Sequence, residues 1–531
     1  MNTLTTYKFS LTAVMLLLTT TIVGGSILIQ HNPAISARAI AALLRRPILS
    51  FEIASGNRLL AFAGTLFSRD TPTSLTSEFA SSVPVLVYHG VTTRSDGTEI
   101  NLTQAQFKDH MFALKRAGYQ TISLDDFYAF LRGEKQVPAK SFLITFDDGR
   151  ADSFYGADPV LAATGYTASM YVITKYMEES KMPSYYLAEE EIKMMRDTGR
   201  WEIEAHTHAG HGNVPTDSGQ GKDHFFSSHE WLPSENRVET TEEYFARTEN
   251  DMRTAKDILQ KIVEKPVIAF AFPFGDIGQN RPDGSTFSPM LVEHAGDLFP
   301  ILFIQQHPEM HFSHVTPEPG REPYLVKRVD AGHIKDGRGL VRMLDGGATK
   351  MLPFADSFDG DDPGWVRAWG TLSRSAPGTL TLSAERNQSG GSFILDGSGA
   401  WHDYRVKAIV EPPNPSGIVM WLRFETDSRN AACNFGNDFA HVEQTVDGVK
   451  RVIKGIRRAN LIPNATYTVE TEVVGRRVRC ILNGEVLVDT EFLDAGLEQG
   501  GIGFKTWDER LGLASVTLSS VEVSPAFAEE E

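Results

Sequence analysis

The sequence predicts an α/β domain with a mainly parallel sheet or barrel, followed by an all-β sandwich. Three observations carry this. Apolar strand-length runs alternate with helical patterns over residues 83–345. After about Lys350 the helical periodicity fades, and short alternating strands separated by Gly, Asn, Asp and Pro take over. A chain of 531 residues also exceeds what one hydrophobic core serves.

The first element is N-terminal and apolar. Phe9 to Gln30 gives 22 residues without a charge, close to the ~20 a membrane-spanning helix needs. Residues 1–35 therefore read as a signal anchor or, alternatively, a cleaved signal peptide. Residues 36–80 form a linker region ending in the breaker-rich Asp70-Thr71-Pro72-Thr73-Ser74. Basic residues on both sides, Lys8 before and Arg38, Arg45 and Arg46 after, leave the orientation open.

Order begins with the strand Val83 to Tyr88. Phe107, Met111 and Leu114 recur at helical spacing, with Gly118 as the stop. Ser141–Phe146, Met170–Ile173 and Trp201–Ala205 read as further strands. A helix spans about Thr241 to Val263, its apolar stripe formed by Phe245, Met252, Ala255, Leu259 and Ile262. Thr240 and Glu243 form a candidate capping box. A strand from Val267 to Phe272 follows. Beyond Lys350, strands are read at 379–382, 404–410, 418–424 and 478–484.

Three strand ends carry unusual residues. Asp147 and Asp148 close a buried strand, where paired carboxylates are costly without a cation or donors; the alternative is a turn with solvated acids. His206, His208 and His211 follow another strand, and two such imidazoles with one carboxylate make a metal-ligand set. Phe272-Pro273-Phe274-Gly275 closes a third strand; that turn can aim a backbone N–H into a site, or serve as a plain turn.

Together with the opening Pro84-Val85-Leu86-Val87-Tyr88-His89-Gly90, these segments resemble the polysaccharide deacetylase family over roughly residues 83–345. The resemblance implies a distorted (β/α) barrel of seven or eight strands in residues 81–348. It implies a divalent metal, zinc foremost, on Asp148, His206 and His211, with Asp147 as general base and the Phe274 N–H as oxyanion donor. His206 and His211 stand five apart, as in the branch acting on poly-β-1,6-N-acetylglucosamine, which leaves His208 beside the ligands or against substrate. Ala271 occupies the place where many members carry an arginine that orients the base. The general acid has no clean match: His333 is nearest, with His307, His311 and His314 as rivals. Residues 352–525 resemble the concanavalin-like jelly rolls of glycan-active enzymes, with a role in sugar binding through Trp365, Trp369, Trp401, Trp421 or Trp507, or else a structural one.

The implied activity is hydrolysis of acetamido groups on an N-acetylhexosamine polysaccharide, an exported exopolysaccharide in the first instance. A silent glycan-binding or matrix-assembly protein, or a deacetylase of peptidoglycan or chitooligosaccharide, are the alternatives. The implied location is extracytoplasmic, held to the membrane by the N-terminal segment or secreted if that segment is cleaved. A net charge of −17 argues against a nucleic-acid partner. Cys433 and Cys480, the two cysteines of the chain, exclude a disulfide scaffold; they are either bridged or unpaired core residues.

Overall fold

The computed structural model describes residues 78–527, apart from 182–183, 279–287, 308–310, 361, 375, 412–416, 447, 458–464 and 492. The N-terminal apolar segment and nearly all of the linker region lie outside the described residues. Among the described residues no helix is long and apolar enough to cross a membrane. The chain divides into two units, 1–307 with 317–341, and 308–316 with 342–531.

In the first unit seven parallel strands close a barrel: β1 (Val85–Tyr88), β2 (Ser141–Phe146), β3 (Ala168–Val172), β4 (Trp201–Ala205), β5 (Ala269–Ala271), β6 (Ile301–Gln306) and β7 (Tyr324–Asp330). Their spatial order is β1-β7-β6-β5-β4-β3-β2, and β1 pairs with β2 to close it. A two-residue strand, Gln120–Thr121, adds to the outer edge of β2. β1 and β2 are buried along their whole length because they are apolar on both faces, as a helix-covered parallel barrel requires. The β4–β5 seam is the thinnest, with one register pair, Phe270↔Ala205. There Glu204 accepts hydrogen bonds from the backbone N–H groups of Ile268 (2.9 Å) and Ala269 (2.8 Å).

The helices form where their signals lie. Gln104–Arg116 buries Phe107, Met111 and Leu114, and the chain leaves it through Gly118 at φ 84°. Thr241–Val263 starts at the expected box, the Thr240 N–H donating to Glu243 (2.7 Å) and the Thr240 hydroxyl accepting from the Glu243 N–H (3.3 Å). At the N-terminal end of the barrel a cavity of about 190 Å³ is lined by Glu202 and Glu204, with Arg196, Arg200 and Lys265. Burial pushes the Glu202 carboxyl up to about 7 and Glu204 well above the usual carboxylate range.

The second unit is a sandwich of two antiparallel sheets, one of eight strands and one of seven. Its core joins Trp365, Phe393, Tyr404, Met420, Phe435 and Phe504 between the sheets. Cys433, on Arg429–Phe435 of the seven-stranded sheet, and Cys480, on Arg477–Leu482 of the other, form a disulfide with Cα atoms 5.7 Å apart. Of the five tryptophans proposed for sugar stacking, Trp365 and Trp401 are core and Trp421 is buried in a smaller apolar cluster. Trp369 and Trp507 are half-buried. Large aromatics on alternating strands fill the inter-sheet space first, and sequence alone does not say which face each takes.

Candidate metal centre

The C-terminal ends of β2, β4 and β5 bring the site together. Asp148 follows β2, His206 and His211 follow β4, and the Phe272–Gly275 turn follows β5. Asp148, Thr207 and Phe274 all sit at positive φ (73°, 80° and 60°). Such a conformation costs a non-glycine residue about 1–3 kcal/mol and persists where the surroundings over-determine it. All three lie on loops that follow barrel strands and carry the candidate site residues.

Asp148, His206 and His211 each offer one ligand atom, all within 4.8 Å of one another. Asp148 Oδ1 lies 3.6 Å from His206 Nε2 and 3.2 Å from His211 Nε2. His206 Nδ1–H donates to the Ala271 carbonyl at 2.7 Å, which fixes the tautomer and leaves Nε2 directed at the aspartate. Donor atoms around a tetrahedral or octahedral ion with bonds near 2.1 Å stand about 3.0–3.4 Å apart, and the two separations from Asp148 are close to that range. The electrostatics agree. Burial opposes charge on Asp148, yet His206, His211 and nearby His89 hold its carboxyl well below the usual range. Burial likewise opposes a proton on His206, and Asp147 and Asp148 overcome it and raise that imidazole. A pocket that draws a proton against desolvation attracts a cation for the same reason.

Asp147 stands outside the ligand set. It is 2% exposed and is held by Arg328, itself 0% exposed. The guanidinium makes a two-pronged pair with the carboxylate, 2.6 Å at each oxygen, and a third bond to Thr145 Oγ1 at 3.1 Å. Tyr171 and Phe303 lie 5.3 and 5.4 Å from it. Burial would neutralise Asp147, but the Arg328 charge, with His206 and His89, keeps its carboxyl below the ordinary value. Arg328 projects from β7, separated from β2 by β1. Asp147 is thus paired with an arginine from another strand, while position 271 holds an alanine.

The remaining candidates separate. His208 Nδ1 lies 2.9 Å from Thr174 Oγ1. The Phe274 ring, 54% exposed, sits 4.7 Å from His211 and stacks on His224 at 4.5 Å. His333 lies just after β7 and faces Asp330 (3.5 Å) and Glu99 (3.4 Å), with the His307 ring 4.4 Å away. His311 and His314 belong to the second unit, where they contact the Leu395 and Leu344 carbonyls at 3.1 and 2.8 Å. Burial pulls His314 down to about 3. His89, at the end of β1, is buried and acts electrostatically on both Asp147 and Asp148. Its signal was visible as a histidine directly after a buried strand, the same cue that marks His206.

Residues 134–283 match the family model for polysaccharide deacetylase. This segment is a polysaccharide deacetylase domain. Family members are metal-dependent, and Asp148, His206 and His211 form a group that could hold a metal ion. The YxkH protein of Bacillus subtilis (strain 168) is 33% identical over 138 residues, 26% of this chain and 47% of that protein. Poly-beta-1,6-N-acetyl-D-glucosamine N-deacetylase of Staphylococcus aureus (strain MRSA252) is 24% identical over 182 residues, 34% of this chain and 56% of that protein. The chain spans about half the length of these relatives. A solved de-N-acetylase from Aggregatibacter actinomycetemcomitans superposes on 49% of this chain and 99% of its own, at 18% identity and a TM-score of 0.41, a likeness too loose to argue from.

Proposed function

We propose that the protein is a metal-dependent N-deacetylase acting on an N-acetylhexosamine polysaccharide, an exported exopolysaccharide foremost. One observation carries this: a three-residue ligand set lies beside a buried carboxylate that an arginine keeps charged. Asp148, His206 and His211 would hold a divalent ion, zinc as first expectation. Such an ion, when bound, supplies a charge that polarises an amide carbonyl and acidifies water.

The chain's own residues do the rest. Asp147, anionic and fixed by Arg328, takes the proton of the attacking water. The backbone N–H of Phe274 receives the developing oxyanion, a contact typically worth ~3–4 kcal/mol of barrier. The proton for the departing amine is assigned to His89 rather than His333, because His89, buried at the end of β1, is the histidine outside the triad that acts on both aspartates. The five-residue step from His206 to His211 and the Staphylococcus relative support a β-1,6-linked polymer as the substrate to try first. The inter-sheet disulfide supports an oxidising compartment.

The test is acetate release from poly-β-1,6-N-acetylglucosamine, peptidoglycan and chitooligosaccharides. It is read beside the metal content of wild type and His206→Ala. Acetate from the first polymer, with about one ion per wild-type chain and almost none in His206→Ala, is expected. No acetate from any of the three would end the enzymatic reading. His89→Ala should lose far more activity than His333→Ala; the reverse order would restore His333 as the acid.

A further inference from the structure

The buried face of the helix Thr241–Val263 carries one carboxylate among its apolar residues. Asp251 is buried beside Met252 and Ala255, a position an acid holds only when its oxygens are satisfied. Three donors reach it, all from the segment between His206 and His211. The Thr207 hydroxyl and the His208 N–H (3.0 Å) donate to Oδ1, and the Ala209 N–H (2.6 Å) donates to Oδ2. The Thr207 hydroxyl also accepts from the Gly210 N–H at 2.8 Å, closing the turn that returns the chain to His211. On the other side the Thr174 and Lys175 N–H groups donate to the Thr207 and His208 carbonyls at 3.2 and 3.0 Å. Gly210 packs closely inside this turn, since a Cβ there would meet Thr207 Oγ1 at 2.6 Å and the Phe225 ring at 2.8 Å.

We infer that Asp251 is a positioning residue: it holds the 206–211 turn, with Thr207 at φ 80°, so that His206 and His211 present their Nε2 atoms to Asp148 before any ion arrives. The inference rests on the reading that this triad takes a divalent ion. Two adjacent N–H groups and a hydroxyl aimed at one carboxylate cannot all be served by a neutral side chain. An asparagine keeps one acceptor but turns an NH₂ toward another donor. Outer-shell partners of this kind change metal affinity when removed, typically 10–100-fold.

The experiment uses the full chain stripped of metal, titrated with zinc(II) against a chromogenic chelator and, separately, with cobalt(II) to read the visible spectrum. Asp251→Ala is expected to bind zinc 10–100-fold more weakly and to shift the cobalt spectrum, with Asp251→Asn in between. Asp158→Asn is the control. That buried acid serves Arg200 and Trp201, so its loss should lower the melting temperature while leaving zinc affinity unchanged. Should Asp251→Ala not fold, Thr207→Val removes the linking hydroxyl at constant shape and should weaken zinc binding, with Thr207→Ser restoring it. Zinc affinity within threefold of wild type and an unaltered cobalt spectrum in Asp251→Ala, or in Thr207→Val in its place, overturn the inference. If wild type and His206→Ala take up zinc equally, the metal reading of the triad falls, and this inference with it.

Discussion

Arg328→Met removes the cation from a pair that is closed to water on both sides, at 0% and 2% exposure. Two charge-assisted bonds of 2.6 Å and one of 3.1 Å disappear, and Asp147 is left as an uncompensated buried charge. Breaking one side of such a pair costs about 3–5 kcal/mol. For a unit of this size each kcal/mol shifts the melting temperature by about 2–4 °C, so a loss of roughly 6–20 °C is expected. The assay is urea unfolding of wild type, Arg328→Met, Asp147→Leu and the double variant, with acetate release alongside. Removing both charges deletes the orphan, so the double variant should be more stable than Arg328→Met alone. Arg328→Lys keeps the charge but not the fork, and should fall between wild type and Arg328→Met in both stability and kcat. A cost below about 1 kcal/mol for Arg328→Met, or a double variant whose loss equals the sum of the singles, would falsify the claim that this pair sets the state of Asp147.

Asp147→Asn should retain the ion and lose activity by about 10²–10⁴-fold, as expected when a base is removed; near-normal acetate release from metal-loaded protein would exclude the role. The buried Glu202 keeps its proton to about 7 when folded and to its ordinary 4.5 when unfolded. The native state therefore binds more protons between these values, and stability falls as pH rises from about 4.5 to 7. Glu202→Gln should accordingly gain up to about 3 kcal/mol at pH 8 and almost nothing at pH 4 in urea unfolding; an equal effect at both pH values contradicts the argument. Cys433→Ala/Cys480→Ala opens a loop with a sequence separation of 47 and should cost the sandwich about 4 kcal/mol. An unchanged unfolding midpoint would mean the unfolded chain is already constrained by other means.

What the sequence made legible was local. Asp147-Asp148 and the His206–His211 segment each sit at the end of a strand that could be recognised from its own apolar run, so their convergence followed from the rule that such ends share one mouth. Arg328 and Asp251 act at separations of 181 and 44 residues, and nothing in their own neighbourhoods announces it. Asp251 lies one position from the apolar stripe of its helix, where an acid reads as solvated. Ala271 did pose the question of where an arginine for Asp147 would come from, but only the strand order could show that β7 carries one. The disulfide was undecidable for the same reason, since pairing depends on which two strands face each other across the sandwich.

The thin seam between β4 and β5 has a further consequence. With a single register pair between these strands, side chains do part of the ladder's work, Glu204 from below and the His206 ring, through the Ala271 carbonyl, from above. One fastener of the barrel wall is thus also a residue of the candidate metal triad. Occupancy of the site and opening of that seam then become two readings of one equilibrium: whatever immobilises the His206 ring slows the parting of β4 from β5, and whatever parts them releases the ligand. Amide exchange along 269–271 should therefore report on metal occupancy although the backbone there binds no metal.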